Sequence, residues 1–302
     1  MNKFIMLVGV TGSGKSYYAN QLKQNKEVDE VVSSDAIRLE LYGDENEQKY
    51  NNKVFNELHK RVRRLLKDGK NVCYDATNLS SRRRASFLKT LAEIDVEKEC
   101  HVMLATPIRC WLSQRYRERQ LSYSVVKKHV MEFNCPYYFE GWEEIKIIRN
   151  FGCAIPAEVS LAANKIPHDN PHHTLNIYEH MATAQRLYQN TVLSKDFSPY
   201  VSEALRYHDI GKRFCKTFKN SNGNESESVH YYGHQNASAY YYLLSENKNL
   251  TIKEFLYVTN LIQYHMEFFL RDENRLENLR KKIGDKMFDD LRVIHEYDML
   301  AH

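Results

Sequence analysis

The chain has few of the features that mark disordered, repetitive or membrane-spanning proteins. Proline occurs only six times in 302 residues, and 42% of the residues are hydrophobic and 27% charged, which argues against long disordered tracts. No signal-peptide pattern, internal repeat or low-complexity tract is present. The first apolar run, FIMLVGV, is too short to cross a bilayer. We therefore expect a globular protein with no membrane partner, long enough for two domains of ordinary size.

Paired cysteines are also missing. No two of the six cysteines form a CxxC pair, and they are scattered at Cys73, Cys100, Cys110, Cys135, Cys153 and Cys215. Such usage is typical of a reducing cytosol rather than of a disulfide scaffold or a structural zinc site, so we expect a cytoplasmic location. The net charge of +4 permits a polyanionic partner without requiring one.

Short apolar runs alternate with helix-like stretches in the first half of the chain. The runs FIMLVGV, EVVSSD, NVCYDAT and CHVMLAT each indicate a buried strand that ends in polar residues. Helical stretches such as KSYYANQLKQ and YNNKVFNELHKRVRRLLKDG lie between them, and the second stops at Gly69. This alternation predicts a parallel sheet covered by helices, with active-site groups at the C-terminal ends of the strands.

The pattern changes after about residue 152, where the strand signal fades. Helical patterns take over in TLNIYEHMATAQRLYQN, SPYVSEALRYHDIG, HQNASAYYYLLSE, TIKEFLYVTNLIQYHMEFFL and KMFDDLRVIHEYDMLAH. The change predicts two domains, an α/β domain over residues 1–152 and an all-α domain over residues 153–302. Their boundary is expected in the stretch FGCAIPAEVS.

The stretch GVTGSGKS fits the pattern G-x-x-x-x-G-K-[ST] and follows a predicted strand, as that motif requires. Its glycines allow backbone N–H groups to converge on phosphate oxygens, and the next helix offers its positive N-terminus. Lys15 would bridge the β- and γ-phosphates of ATP, and Ser16 would bind magnesium; the alternative is a plain glycine-rich turn. The predicted nucleotide-binding residues of this loop are Gly9, Thr11, Gly12, Ser13, Gly14, Lys15 and Ser16.

Two acidic residues follow predicted strands further along. Asp35 comes after the EVV run, with Arg38 three residues later. A carboxylate there can orient and deprotonate an attacking hydroxyl, and the arginine can hold an acceptor phosphate. The alternative is that Asp35 only caps the helix AIRLELYG. Asp75 ends the NVCYDAT run, where an acid of the magnesium shell or of the nucleophile side is expected.

Several segments are rich in basic residues. WLSQRYRERQ places Arg115 and Arg119 at i and i+4 on one predicted helical face. Such a pair suits a lid that clamps ATP phosphates, and the alternative is an exposed charged helix. Two further clusters could follow a phosphate backbone, although we interpret the first as a solvated helix face. These clusters are Lys60-Arg61-Arg63-Arg64 and Arg82-Arg83-Arg84.

The order GVTGSGKS, SSDAIR, DATN and RYRER resembles the 5′-hydroxyl polynucleotide kinase family of nucleic-acid repair over about the first 150 residues. The resemblance implies Lys15 and Ser16 at the phosphates of ATP with Mg²⁺, and Asp35 as general base. It also implies Arg38 on the acceptor phosphate and Arg119 as a lid arginine, with Arg115 a weaker match. The wider family includes kinases of small hydroxyl substrates.

Most of the 13 histidines fall after residue 167, in segments that also carry acids. Neutral imidazoles together with carboxylates suit a hard-to-borderline divalent ion held between helices. Any one histidine alone is more often a surface or hydrogen-bonded core residue. The case for a metal rests on a series in chain order: His180, His208, Asp209, His234, His265 and Asp298.

That series resembles the HD phosphohydrolase superfamily, an all-α fold, over about residues 165–302. The resemblance implies one or two divalent transition metals (Mn, Fe, Co, Ni or Zn). The implied ligands of the first metal are His180, His208, Asp209 and Asp298, and His234 and His265 complete a second. The implied phosphate-contacting or proton-donating residues are Lys212 and His173, while His168, His172 and His295 are expected to be bystanders.

Together the two resemblances imply a bifunctional end-healing enzyme that acts on nucleic-acid ends, with RNA favoured. Its kinase would phosphorylate 5′-OH ends, and its HD domain would hydrolyse a 2′,3′-cyclic phosphate or a terminal phosphate. An RNA ligase is the implied pathway partner, and oligomerisation stays open. The first alternative is a nucleoside-type kinase fused to an HD nucleotidase. The second is a non-catalytic, ATP-switched nucleic-acid-binding protein.

Overall fold

The computed structural model describes residues 1–115, 120–150, 165–167, 175–193, 195–245 and 249–301. This part of the chain divides into two compact units. The first contains Met1–His129 and the stretch from Pro136 to the end of the last strand of its sheet. The second contains Val130–Cys135 and the described residues from Lys165 onwards. The boundary predicted at residue 152 lies outside the described residues and stays a prediction.

The first unit is built on a five-stranded parallel sheet, which confirms the predicted architecture of this half. The strand order is β2-β3-β1-β4-β5, and every neighbouring pair is parallel. The strands are β1 (Asn2–Val8), β2 (Glu30–Ser33), β3 (Val72–Asp75), β4 (Val96–Leu104) and β5 (Glu144–Arg149). The first four coincide with the predicted apolar runs, and β5 was not predicted.

Among the described residues, five α-helices and a 3-10 helix accompany this sheet, together with a sixth α-helix whose last two residues belong to the second unit. They are α1 (Lys15–Gln24), α2 (Ser34–Tyr42), α3 (Asn51–Lys67), α4 (Ser81–Lys89), α5 (Pro107–Leu112), α6 (Tyr123–Met131) and the 3-10 helix Tyr138–Glu140. Helix α3 shows why they form where they do. Its buried residues recur every fourth position, at Val54, Leu58, Val62 and Leu66, and this spacing makes one apolar stripe. Burying each such side chain contributes about 1.5–3 kcal/mol.

The predicted cluster Arg82-Arg83-Arg84 does not form one basic surface. Arg84 is only 1% exposed. Its Nε and Nη2 atoms donate to Glu140 at 2.8 and 2.6 Å, and its Nη1 atom donates to two backbone carbonyls. Trp142 Nε1 donates to the same carboxylate at 2.9 Å. Arg84 is therefore a structural residue, and the expectation that it could follow a phosphate backbone is wrong.

The second unit is mainly helical. Its elements are α7 (Ile177–Thr191), α8 (Pro199–Tyr207), α9 (Lys212–Cys215), α10 (His234–Leu244), α11 (Ile252–Tyr264), the 3-10 helix His265–Leu270, α12 (Glu273–Ile283) and α13 (Asp285–Leu300). One hairpin departs from the expected all-α fold. Strands β6 (Thr217–Lys219) and β7 (Glu225–His230) pair antiparallel. Most of their residues are partly or fully exposed, so they lack the apolar runs by which strands were predicted.

Residues Val130–Cys135 pack within this helical unit. The Phe133 ring lies edge-on against Tyr240, with centroids 5.1 Å apart. Asn236 Nδ2 donates to the Met131 carbonyl at 2.7 Å, and the Cys135 N–H donates to the Gln263 side chain at the same distance. Since these contacts pair distant residues, the assignment could not be made from chain order.

Two further findings bear on the environment of the protein. The cysteines among the described residues are all buried. No helix in this part of the chain has both the length and the apolar character that a membrane span needs. The cytoplasmic location stays a prediction.

Candidate functional sites

The loop between β1 and α1 has the geometry of a phosphate-binding loop. Gly12 and Gly14 have positive φ angles of 78° and 92°. A Cβ at Gly12 would lie 2.0 Å from the Cys110 carbonyl oxygen, and one at Gly14 would lie 2.2 Å from Asn150 Nδ2. Side chains are excluded at both positions. The loop leads into the N-terminus of α1, whose free N–H groups and dipole favour an anion.

Polar groups of the loop itself are held inward. Lys15 is 8% exposed, and its Nζ donates to the Val10 carbonyl at 2.8 Å. The Ser13 hydroxyl is buried and has no hydrogen-bond partner among the described residues. Ser16 is exposed in the first turn of α1. The ammonium group therefore lies against the loop in which a nucleotide phosphate would bind.

Three residues that were not predicted contact this loop. Ser113 Oγ donates to the Gly12 carbonyl at 2.9 Å, and Asn150 Nδ2 donates to the Ser13 carbonyl at 2.9 Å. The Thr11 N–H donates to His129 Nδ1 at 3.4 Å. All three are separated from the loop by at least 101 residues, so no local sequence signal could have found them.

Asp35 lies in the first turn of α2, but it is not the helix cap. Ser33 takes that place, since its side chain accepts from the Ala36 N–H. The alternative of a capping role for Asp35 is therefore wrong. Asp35 Oδ1 is 2.6 Å from Arg38 Nη1, and Arg38 Nη2 donates to Asn51 Oδ1 at 2.8 Å. The Asp35 side chain is 49% exposed and that of Arg38 only 7%, so an accessible carboxylate is held by a buried guanidinium.

Asp75 is the last residue of β3 and is 4% exposed. It lies in register with Ser33 at the end of β2. The Gly9 N–H donates to the Thr77 carbonyl at 3.0 Å, just beyond Asp75. Because parallel strands share one C-terminal edge, the structure brings the phosphate loop, Asp35 with Arg38, and Asp75 to the same side of the sheet.

The predicted lid arginines do not share a described helix. Helix α5 ends at Leu112, and Ser113 is its C-cap. Arg115 lies beyond that end, with its guanidinium 5.0 Å from the centre of the Trp111 ring. The Ser113 Oγ atom also lies 2.9 Å from the Cys110 carbonyl oxygen, so its one hydrogen has two possible acceptors. Arg119 lies outside the described residues.

The second unit contains two buried groups of side chains that could hold metal ions. The first triad is His180, His208 and Asp298, and the second is Asp209, His234 and His265. In the first triad, Asp298 Oδ1 lies 2.9 Å from His180 Nε2 and 3.4 Å from His208 Nε2. The two imidazole Nε2 atoms are 3.2 Å apart.

Asp209 links the two triads. Its Oδ1 atom lies 3.3 Å from His234 Nε2 and 3.7 Å from His265 Nε2. Its Oδ2 atom lies 3.5 Å from His180 Nε2 and 3.4 Å from His208 Nε2. One carboxylate therefore presents one oxygen to each group, the arrangement that a ligand bridging two cations requires.

The four histidines share one orientation. Each Nδ1 atom faces a backbone carbonyl, which can only accept, so Nδ1 carries the proton and Nε2 of a neutral ring has a lone pair. In three of them the carbonyl belongs to the residue three positions earlier, at the end or start of a helix. The Nδ1–O distances are 3.2 Å for His180 to Ala301, 2.8 Å for His208 to Leu205, 2.9 Å for His234 to Tyr231 and 2.7 Å for His265 to Ile262.

This orientation fits a divalent metal. Hydrogen bonds from Nδ1 to carbonyls fix the tautomer of metal-binding histidines and raise their basicity as ligands. With the rings neutral and no cation bound, imidazole lone pairs and two carboxylates would face one another. In addition, Asp209 Oδ1 is buried with no hydrogen-bond donor among the described residues. A bound cation would satisfy these groups.

The electrostatics of the cluster point the same way. Burial lowers the pKa of His208, but the Asp209 and Asp298 carboxylates outweigh it and raise that pKa to about 10. Burial, with His208 and His234 nearby, lowers the pKa of His265 to about 3. Burial also opposes ionisation of Asp209, yet Lys212 and His208 hold its pKa well below the usual range. Two buried carboxylates thus favour positive charge at this point, and Lys212 and protonated His208 supply part of it.

Lys212 adjoins the shared carboxylate. Its Nζ is 2.6 Å from Asp209 Oδ2 and 5.7 Å from the centre of the Tyr231 ring. Among the other predicted residues, His173 lies outside the described residues, as do the expected bystanders His168 and His172. His295 belongs to neither triad, and its ring stacks on Phe268 at a centroid distance of 5.8 Å.

A third acidic group, Glu97, Glu99 and Glu144, lies in the sheet of the first unit. Ammonium groups already neutralise it, because Lys146 Nζ is 2.8 Å from Glu99 and 3.2 Å from Glu144. Lys3 contacts Glu97 and Glu99 as well. We therefore do not regard it as a metal site.

Comparison with known protein families supports the assignment of the first unit. Residues 4–135 match a family model described as an AAA domain. No curated protein gives a significant match. The α/β unit with its parallel sheet fits a P-loop kinase, a class that binds ATP with Mg²⁺.

The solved structures to which the chain is similar include the three that follow. A chain of the Pnkp1/Rnl/Hen1 RNA repair complex is 28% identical, with 43% of each chain covered and a TM-score of 0.39. A fungal RNA kinase is 14% identical, with 66% of this chain and 51% of that one covered and a TM-score of 0.38. A gluconokinase from Sinorhizobium meliloti 1021 is 14% identical, with 49% and 82% covered and a TM-score of 0.36. The chain thus spans under half the length of the repair-complex protein.

Proposed function

We propose that the protein is a bifunctional enzyme that heals broken nucleic-acid ends, with RNA favoured. Its first unit phosphorylates a 5′-OH end with ATP, and its second hydrolyses a 2′,3′-cyclic phosphate or a terminal phosphate. Cleavage that leaves a cyclic phosphate and a 5′-OH creates two ends, each of which needs one of these reactions. The observation that carries the proposal is Asp209 shared between two buried metal-binding triads, in a chain that also has a P-loop kinase domain.

In the kinase reaction, the acceptor hydroxyl would approach Asp35. This carboxylate is accessible and fixed by Arg38, so it can accept the hydroxyl proton as general base. Arg38 also offers a guanidinium for an acceptor phosphate. Lys15 and the loop N–H groups would neutralise the phosphates of ATP, with Ser16 and Asp75 towards Mg²⁺. Arg115 and Arg119 remain the proposed lid.

In the phosphoesterase reaction, His180, His208 and Asp298 would hold one metal ion, with Asp209 as a further ligand. Asp209, His234 and His265 would hold a second metal ion. A divalent transition metal (Mn, Fe, Co, Ni or Zn) supplies Lewis-acid chemistry and a nucleophile at neutral pH. The imidazoles are fixed with their Nε2 atoms inward. Lys212, beside the shared carboxylate, is placed to contact a phosphate oxygen, and His173 is the proposed proton donor.

Two assays on the full chain test the proposal. With ATP and Mg²⁺, we expect phosphorylation of 5′-OH oligonucleotides; labelling of nucleosides but never of oligonucleotides would instead indicate a small-molecule kinase. With Mn²⁺, Co²⁺ or Ni²⁺, we expect hydrolysis of an RNA 2′,3′-cyclic phosphate, and chelation should abolish it.

The products of the two reactions also suggest a partner. Hydrolysis of the cyclic phosphate leaves a phosphomonoester, and hydrolysis of that monoester releases inorganic phosphate and leaves a free hydroxyl. A 5′-phosphate and a 3′-OH are the ends that a nucleic-acid ligase joins. We therefore propose an RNA ligase as the enzyme that acts next.

A further inference from the structure

Helix α3 carries a row of basic residues on its outer side. Lys53, Lys60 and Lys67 recur every seven residues. An α-helix drifts only about 20° per seven residues, so the three lysines lie on nearly one face. Arg63 and Arg64 fall between the last two at helical spacing. We call these five residues the basic stripe; all are exposed, while the opposite face of α3 is buried.

The C-terminal part of the stripe, from Lys60 to Lys67, lines a groove of about 570 Å³. Its walls hold four basic side chains and one acidic side chain, so the concave surface is strongly positive. Concave walls of one charge sign concentrate ions of the opposite sign. The lining residues are Asn56, His59, Lys60, Arg63, Arg64, Lys67, Asp68 and Thr90.

Most of the charges of the stripe are not neutralised by ion pairs among the described residues. Arg63, Arg64 and Lys67 have no carboxylate within 4.0 Å among the described residues, and the nearest one to Lys60 is Glu57 at 3.9 Å. Arg61 on the same helix differs. Its guanidinium lies 2.7 Å from Glu40 and 2.8 Å from Glu57. The basic side chains that line the groove are therefore those that remain available to bind an external anion.

The N-terminal end of α3 lies at the proposed kinase site. Asn51, the first residue of α3, accepts a hydrogen bond from Arg38. A rise of about 1.5 Å per residue puts Lys60 roughly 13 Å and Lys67 roughly 24 Å along the helix from Asn51. A helical nucleic-acid strand has one phosphate per about 3.4 Å. These distances correspond to roughly four and seven nucleotides.

We propose that the basic stripe of α3 binds the phosphodiester backbone of the acceptor strand, about four to seven nucleotides from its 5′ end. This inference rests on the proposed kinase function and deepens it, because it predicts a preference for acceptors long enough to reach the groove. Backbone contacts position a strand without reading its sequence. RNA and DNA should therefore respond alike to changes in the stripe.

The test compares two double variants of the full chain that remove the same charge. Arg63→Gln/Lys67→Gln alters the groove, whereas Arg61→Gln/Lys23→Gln removes two cations that are ion-paired elsewhere. Acceptors are 5′-OH oligonucleotides of 3 and 16 nucleotides, in RNA and DNA forms. For the groove variant we expect KM for the 16-mers to rise roughly tenfold, with a smaller change for the 3-mers. For the control variant we expect KM within about twofold of wild type.

Salt dependence gives a second readout. We would measure binding of a labelled 16-mer by fluorescence anisotropy between 50 and 200 mM salt. Each single-strand phosphate contact contributes about 0.7 to the slope of log K against log salt, so the groove variant should lose about 1.4 of that slope. The control should lose none.

The outcomes separate this inference from the proposed function. Equal KM values and equal salt slopes in the two double variants would overturn the proposed role of the stripe. The stripe would then be only a solvated helix face. If wild type phosphorylates no oligonucleotide, the proposed kinase function fails. The anisotropy measurement then still tests whether the stripe binds a nucleic-acid backbone. An unchanged salt slope in the groove variant would overturn that proposal.

Discussion

Asp209 Oδ1 lies 3.3 Å from His234 Nε2, and when the His234 ring is neutral with its proton on Nδ1, neither atom has a hydrogen to donate. The imidazole proton is on Nδ1, bonded to the Tyr231 carbonyl, and the carboxylate is ionised. Such a buried meeting of two acceptors is unfavourable by itself. It becomes favourable when a cation occupies the site, and the first two predictions test this relationship.

Asp209→Asn should remove phosphoesterase activity. The amide keeps the shape of the carboxylate but lacks the charge that links both triads. Replacing even an outer-shell partner costs 10–100-fold, so we expect a loss of more than about 100-fold for this shared ligand. Hydrolysis of a 2′,3′-cyclic phosphate RNA measures it. Kinase activity of the same sample is the control, and loss of both activities would mean that Asp209 supports folding instead.

Metal binding should also appear as stability. A ligand that binds only the folded state at 100 times its Kd adds about 2.7 kcal/mol. We therefore expect Mn²⁺, Co²⁺, Ni²⁺ or Zn²⁺ to raise the melting temperature of chelator-treated protein. The effect should be smaller in His208→Ala, which removes one ligand of the first triad and keeps the P-loop intact. Calorimetry of the full chain can follow it, and an equal rise in wild type and variant would contradict the assignment of these ligands.

Lys15→Met should abolish phosphoryl transfer without affecting the phosphoesterase. Methionine has a similar length and buries readily, whereas the ammonium at the loop is lost. Removal of one preorganised charged or donor group typically lowers kcat by about 10²–10³-fold. A radiolabel transfer assay with ATP would measure it. Lys26→Met, an exposed lysine just after α1, is the matched control, and comparable losses in both variants would argue against the role of Lys15.

The sequence predicted the parts of the sites that are local in the chain. The phosphate loop is contiguous, and all six metal-binding residues lie at or near the start or end of a helix. Their chemistry can be judged from residue type and order. How Asp209 divides its two oxygens between the triads could not be predicted, because it depends on how α7, α8, α10, α11 and α13 pack.

Two other features escaped prediction for similar reasons. Strand β5 contains Glu144 and Lys146, which interrupt its apolar run. These charged residues are tolerated because most of the strand is only half-buried. Ser113 and Asn150 support the phosphate loop from 101 and 137 residues away. Such contacts are set by tertiary packing and leave no periodic signal.

The first unit should lose stability as the pH falls, because of a buried network at the centre of its sheet. Tyr18 OH lies 3.1 Å from His101 Nδ1, and His101 Nε2 lies 3.0 Å from Glu99, which is held by Lys3 and Lys146. Burial lowers the pKa of His101 below 6.5. Burial opposes ionisation of Glu99, but hydrogen bonds from Lys146, Lys3 and His101 lower its pKa from 4.5 to about 2.

Both shifts act in the same direction. The unfolded chain binds protons at His101 and Glu99 more readily than the folded one, so stability rises with pH. The His101 contribution is complete above pH 6.5 and is lost as the pH falls through the lowered pKa; that of Glu99 is present above pH 4.5 and is lost towards pH 2. Urea unfolding at pH 7.5, 6.0 and 5.0 should show a falling free energy of unfolding. His101→Gln should flatten this fall relative to wild type, and an unchanged slope would show that the His101 pKa is not lowered.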